Sequence, residues 1–180
     1  MLPNQPKSEI AINRHVEFNE SKVSIREIRK TDANFVYLHI HGGGFCLGSS
    51  DGQDSELEKL SNEMNCSVLS VDYRLAPEHA YPAAADDCET VALWLIENLK
   101  SEYGTEKIVV GGESAGAHLC VTTLLRLKGK NIHHKIKALN LIFGTYNANT
   151  LPSEINSENE NLLLSSEMMK KFEDSYLQNN

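Results

Sequence analysis

The sequence predicts an α/β fold built on a mostly parallel sheet with helices on both faces. Three observations carry this reading. Apolar runs of strand length alternate with segments of helical period along the chain. Two of the runs end in glycine-rich turns, where a chain leaving a strand can change direction sharply. The composition, 41% hydrophobic and 23% charged over 180 residues, is that of a soluble globular chain able to bury one core.

Taken in order, residues 1–13 are polar, with Pro3 and Pro6, and read as a loose arm. Arg14 to Phe18 and Val23 to Arg29 alternate as two strands, with Asn19-Glu20-Ser21 as the turn. A third strand, about 35–40, carries Phe35-Val36-Tyr37-Leu38-His39-Ile40 into His41-Gly42-Gly43-Gly44. Leu57, Leu60 and Met64 mark a helical face, and Ser67 to Asp72 is a short buried strand. Pro82 opens a helix, since a missing N–H costs nothing in the first turn. Cys88, Val91, Ala92, Leu95 and Leu99 follow at helical spacing beside Trp94, as a core stripe. A fifth strand, about 107–111, feeds Gly112-Glu113-Ser114-Ala115-Gly116 and a helix running to about Leu127. A sixth strand is expected at about 137–143. From Tyr146 to Glu160 the chain is polar and reads as a loop. Ser166 and Glu167 then open a last helix with the stripe Met168, Met169, Phe172, Tyr176 and Leu177.

Chemistry concentrates at two of the turns. Gly-x-Ser-x-Gly just after a strand needs small flanks for a mechanical reason: the turn holds the serine in a strained backbone geometry with its hydroxyl directed outward, and Gly112 and Gly116 let the two arms pass closely. A strand ending in three glycines offers bare backbone N–H groups, the donors an acyl-transfer reaction needs where a carbonyl oxygen becomes negative. The alternative reading of the glycines is a turn that merely connects strand to helix. The frame Gly111 to Gly116 is no phosphate loop, because Ala117-His118 follows where Lys-Ser/Thr is needed.

Between the two lies Val71-Asp72-Tyr73-Arg74-Leu75-Ala76-Pro77-Glu78, followed by Tyr81-Pro82-Ala83-Ala84. With all three motifs in this order, the chain from about Phe35 to about Phe143 resembles the hormone-sensitive-lipase-like esterases of the α/β-hydrolase fold. The resemblance implies a serine carboxylic-ester hydrolase acting on short-chain acyl esters, without a cofactor. It implies Ser114 as nucleophile and the N–H groups of Gly43, Gly44 and Ala115 as the oxyanion hole. His41 and Gly42 support that loop, and Gly112, Glu113 and Gly116 form the elbow. The tyrosine-arginine segment is scaffold, with Asp72, Arg74 and Glu78 expected to form a local charge network.

A serine hydroxyl is a poor nucleophile until a base takes its proton. In α/β-hydrolases the acid and the histidine follow the serine in chain order, after the seventh and eighth strands. Here only His118, His133 and His134 follow Ser114. His118 lies one helical turn on and is read as structural, and the other two as solvated loop residues. The expectation is therefore an α/β-hydrolase core at 1–145, truncated after about the sixth strand, with 146–180 the start of a lid or cap insertion. Such a chain is weakly active or inactive alone. Its last helix either folds back on the core or binds another chain. The alternatives are a receptor-like, non-catalytic homologue that binds a small molecule, and a truncated product without a function of its own.

Other classes are excluded more simply. A net charge of −8 without a basic stripe argues against nucleic acid. Residues 151–180 hold six acids against two lysines. No apolar stretch approaches membrane-spanning length, and the N-terminus has no secretory h-region. Cys46, Cys66, Cys88 and Cys120 show no paired spacing, which fits free thiols in a reducing compartment, hence the cytoplasm. His39 and His41 form a His-x-His pair, but no third ligand stands at metal-binding spacing. The expected partner is a small ester substrate, and the sheet edge after strand six invites self-association.

Overall fold

The computed structural model describes residues 6–146 and 164–178. Six strands form one sheet: β1 (Ile12–Phe18), β2 (Ser21–Ile28), β3 (Val36–Ile40), β4 (Ser67–Asp72), β5 (Ile108–Glu113) and β6 (Ile136–Ile142). Their spatial order is β1-β2-β4-β3-β5-β6. β1 pairs antiparallel with β2, and β2 with β4. The pairings β3–β4, β3–β5 and β5–β6 are parallel. All six expected strands are present, with ends shifted by at most two residues. The helices are α1 (Asp54–Met64), α2 (Ala83–Tyr103), α3 (Ala115–Gly129) and α4 (Ser166–Leu177).

Burial follows the strand period. All five residues of β3 are buried. Val36, Leu38 and Ile40 face one way and join Leu69, Val71, Ile108 and Val110 beneath Cys88, Val91, Leu95 and Leu99 of α2 and Leu119 and Leu127 of α3. Tyr37 faces the other way, with Ile28, Val68 and Cys66, beneath Leu57 of α1. A sheet covered on both faces is the arrangement that the alternation of strands and helices predicts.

Several local expectations change. The hairpin turn is two residues long: Asn19 and Glu20 both take positive φ, and Phe18 pairs with Ser21. That is the backbone whose twist matches a two-stranded ribbon. The described part of the N-terminal arm, residues 6–11, is tied down rather than loose. Asp54 is fully buried and needs donors. It takes them from the Ser8 N–H at 2.9 Å and from Arg26 at 2.6 Å. The Arg26 guanidinium also reaches the Ser8 carbonyl at 3.1 Å. Ser165, not Ser166, caps α4, its hydroxyl accepting from the Met168 N–H at 3.2 Å. The loop expected from Tyr146 to Glu160 falls, after Tyr146, outside the described residues.

The expected network of Asp72, Arg74 and Glu78 does not form. Arg74 reaches along the chain to Asp87 in the first turns of α2, donating through Nη2 at 2.8 Å and Nε at 3.0 Å, while its own backbone N–H donates to the same carboxylate at 2.9 Å. Three donors on one nearly buried carboxylate outweigh a contact between strand-end side chains. Asp72 instead accepts from the Ser50 N–H at 3.1 Å.

Candidate active site

The site is assembled where β3 and β5, adjacent and parallel, end side by side. Ser114 stands between Glu113, the last residue of β5, and Ala115, the first of α3, with φ 52° and ψ −120°. That backbone is costly for a residue with a Cβ. It is held from both sides: the Ser114 N–H donates to the Ile142 carbonyl at 2.9 Å, and its carbonyl accepts from the His118 N–H at 3.2 Å. The elbow can sit this tightly only with glycines beside it. A Cβ on Gly116 would lie 1.9 Å from the Ile40 carbonyl oxygen, and one on Gly112 would lie 2.2 Å from it.

Past Ile40 the chain enters the glycine loop. Gly43, Gly44 and Phe45 all take positive φ, at 115°, 61° and 64°. The loop closes on itself, the Gly43 carbonyl accepting from the Cys46 and Leu47 N–H groups at 3.1 and 2.9 Å. The N–H groups of Gly43, Gly44 and Ala115 donate to no acceptor among the described residues. For Ala115 this follows from its place in the first turn of a helix, where N–H groups lack intrahelical partners. Loop and elbow touch directly: the Gly42 N–H donates to Glu113 Oε1 at 2.6 Å.

His41 supports the loop from below. It is buried, its ring stacks on Tyr73 with centroids 4.2 Å apart, and Nδ1–H donates to the Gly42 carbonyl at 2.7 Å. The Tyr73 hydroxyl donates to the His41 carbonyl at 2.8 Å. Burial pushes the His41 imidazole below its usual range, so the ring is neutral and Nε2 is a bare, buried lone pair. His39 is engaged elsewhere, with Ser70 Oγ 2.9 Å from Nδ1 and Glu113 Oε2 3.3 Å from Nε2. The two histidines thus have separate partners, and no cluster of three or more potential metal ligands exists among the described residues.

No described side chain hydrogen-bonds the Ser114 hydroxyl. His118 turns its Nδ1–H to the Thr145 carbonyl at 2.7 Å and presents its ring to the edge of Phe45. His133 and His134 form part of a 3-10 turn just before β6. β6 runs parallel to β5, so that turn lies at the far end of the strands, about 20 Å from Ser114 at the usual rise per residue.

Three further residues reach the site: Phe172 and Tyr176 belong to the apolar stripe read on the last helix, and Gln53 carries no signal in the sequence. Gln53 donates to Glu113 Oε1 at 2.8 Å. Phe172 of α4 lies so close to Gly44 that a Cβ there would be 2.5 Å from its ring. Tyr176 stacks on Phe45 with centroids 3.9 Å apart, and its carbonyl accepts from the Tyr81 N–H at 2.7 Å. Of the two expected fates of the last helix, the structure takes folding back on the core: Tyr176 is buried and Phe172 half-buried, while Met168, Met169 and Leu177 stay exposed.

A sheet of this order, with a strained serine between β5 and α3, defines a protein class. The family model for the alpha/beta hydrolase fold matches residues 37–180, and the chain belongs to that family. Among its relatives, an arylesterase of Saccharolobus solfataricus is 36% identical over 129 residues, 69% of this chain and 41% of that protein. The hormone-sensitive lipase of Bos taurus is 37% identical over 92 residues, 51% of this chain and 12% of that protein. The solved structure of a hyperthermophilic esterase from Pyrobaculum calidifontis superposes with a TM-score of 0.84 at 30% identity, over 97% of this chain and 57% of that one. The chain thus spans about half or less of the relatives it matches. No helix among the described residues is long and apolar enough to cross a membrane.

Proposed function

We propose that this chain carries the nucleophile and the oxyanion hole of a serine carboxylic-ester hydrolase acting on short-chain acyl esters. The observation that carries the reading is Ser114 in its strained turn, beside a loop whose Gly43 and Gly44 N–H groups meet no acceptor among the described residues. Ser114 Oγ attacks the ester carbonyl and gives up its proton to a base. The N–H groups of Gly43, Gly44 and Ala115 take the negative oxygen, the alcohol leaves with a proton, and water releases the acid. His41 and Gly42 hold the loop, and Gly112, Glu113 and Gly116 shape the elbow. The base and its acid come from outside these 180 residues, in a longer product or a second chain. Residues 1–145 are then the partial core, and 146–180 begin the lid, with Phe172 forming a wall of the acyl pocket. Four free cysteines, three of them buried, suit a cytoplasmic protein.

The test is hydrolysis of p-nitrophenyl acetate by this chain, by a longer product that includes it, and by their Ser114→Ala variants. The 180-residue chain is expected to turn over hardly faster than its own variant, since loss of the triad base leaves only the contribution of the oxyanion hole and binding. The longer product is expected to lose about 10³-fold or more in kcat with Ser114→Ala. Brisk Ser114-dependent turnover by the short chain would refute incompleteness and point to His118. Tight small-molecule binding by the longer product, with no turnover at all, would favour the receptor reading, for which the unbonded Ser114 hydroxyl is the supporting observation.

A further inference from the structure

We infer that Glu113 is a positioning residue: its carboxylate latches the glycine loop to the serine elbow and so sets the distance between the oxyanion donors and the nucleophile. This rests on the reading of Gly43 and Gly44 as those donors.

Glu113 is the last residue of β5, one position before Ser114, and its carboxylate is bonded to β3, to the loop that follows it and to Gln53 just before α1. Oε1 accepts from the Gly42 N–H at 2.6 Å and from Gln53 Nε2 at 2.8 Å, and Oε2 pairs with His39 Nε2 at 3.3 Å. Contact is also steric, since a Cβ on Gly42 would lie 2.9 Å from the Glu113 carbonyl oxygen. An N–H bonded to a carboxylate is the strong kind of hydrogen bond, and three partners leave the group one orientation. The loop needs such an anchor. Among the described residues its only internal backbone bonds are the two that close on the Gly43 carbonyl, and the donors themselves meet no acceptor. Without the Gly42 anchor, two consecutive glycines would sample other backbone states and the donors would lose their aim. The carboxyl is also kept ionised. Burial alone would raise it, but its bonds with His39 and the Gly42 N–H hold it below the usual carboxylate range. Tyr37, Tyr73 and Cys120 also face it, and burial pushes all three up, out of the acid range.

Amide hydrogen exchange on the 180-residue chain tests the latch without any substrate, so its outcome is independent of Ser114-dependent turnover. In Glu113→Ala, exchange of the bonded loop amides of Gly42, Cys46 and Leu47 is expected to rise about tenfold or more, with the β3, β4 and β5 amides unchanged. Glu113→Gln keeps an acceptor oxygen in place and is expected to restore most of the protection. As the pH falls below the usual carboxylate range, wild-type loop protection is expected to drop to the level of Glu113→Gln once Glu113 takes up its proton. In Glu113→Gln it has no such step, and that difference isolates Glu113 from the two histidines. A rise shared by the whole sheet in Glu113→Ala would mean only a structural role and would overturn the proposal. So would a Glu113→Gln pH profile identical to wild type, a reading that stands even if Glu113→Ala does not fold.

Discussion

Ser114 was legible because its turn tolerates so few residue types at its flanks. The carbonyl of Ile40 leaves no room for a Cβ at positions 112 and 116, so the motif is a steric requirement written into the sequence. Glu113 was visible only as the variable member of that motif, and Gln53 not at all, because a single polar residue in a loop has no period and no obligatory neighbour. The strain at Ser114 gives a direct test. A residue held in this region costs about 1–3 kcal/mol, and glycine escapes that cost while giving up about 0.5–1 kcal/mol of chain entropy. Ser114→Ala keeps the Cβ and the strain, whereas Ser114→Gly removes both. The glycine variant is therefore expected to be more stable than the alanine variant by about 1 kcal/mol, read from urea midpoints at equal slope. Equal midpoints, or a less stable glycine variant, would mean that the turn stores no strain.

At the scale of elements, the strands were legible because buried parallel strands are nearly continuous apolar runs, and the helices because their apolar positions recur every three or four residues. What local pattern could not give was where polar residues go to satisfy each other. Glu27 is buried on β2 between Arg14 at 3.4 Å and Arg29 at 3.1 Å, with the Tyr103 hydroxyl donating to it, and so fastens the N-terminal hairpin to the end of α2. Nor could the stripe on α4 say which of its residues would be covered. The structure answers with Tyr176, 5% exposed, whose hydroxyl has no partner among the described residues. A buried hydroxyl without a partner costs about 1–3 kcal/mol, so Tyr176→Phe is expected to hold stability or raise it by about 1 kcal/mol. Tyr176→Ala removes the ring that stacks on Phe45 and is expected to weaken the docking of α4 by about 3 kcal/mol. Limited trypsin digestion after Lys170 and Lys171 reads both: slow in wild type and Tyr176→Phe, fast in Tyr176→Ala. Fast cleavage in wild type would show that α4 is not docked on the glycine loop.

For the molecule as a whole, the charge balance and the apolar fraction excluded partners but could not place the sheet's open side, which depends on strand order rather than on composition. That order puts β6 at one edge, paired with β5 alone among the described residues. Its end is apolar and uncovered: Leu141 is 37% exposed, Ile142 44% and Phe143 75%. An edge of this kind offers unpaired backbone donors and acceptors together with a greasy surface, and its one charge among the described residues, Lys137, lies at the opposite end of the strand. By contrast, β1 at the opposite edge carries Arg14 and Glu17 among its residues, charges of the sort that discourage pairing. Self-association of the 180-residue chain should therefore run through β6. Leu141 lies in the last pleat of β6 and Phe143 just past its end. Replacing both with lysine puts two like charges on each copy, which a strand-to-strand contact would bring together. Sedimentation velocity at about 100 μM is expected to find wild type partly associated and Leu141→Lys/Phe143→Lys monomeric, with little change in thermal stability because both sites are solvent-facing. A monomeric wild type at that concentration, or association that survives the double substitution, would show that the β6 edge does not recruit a second copy.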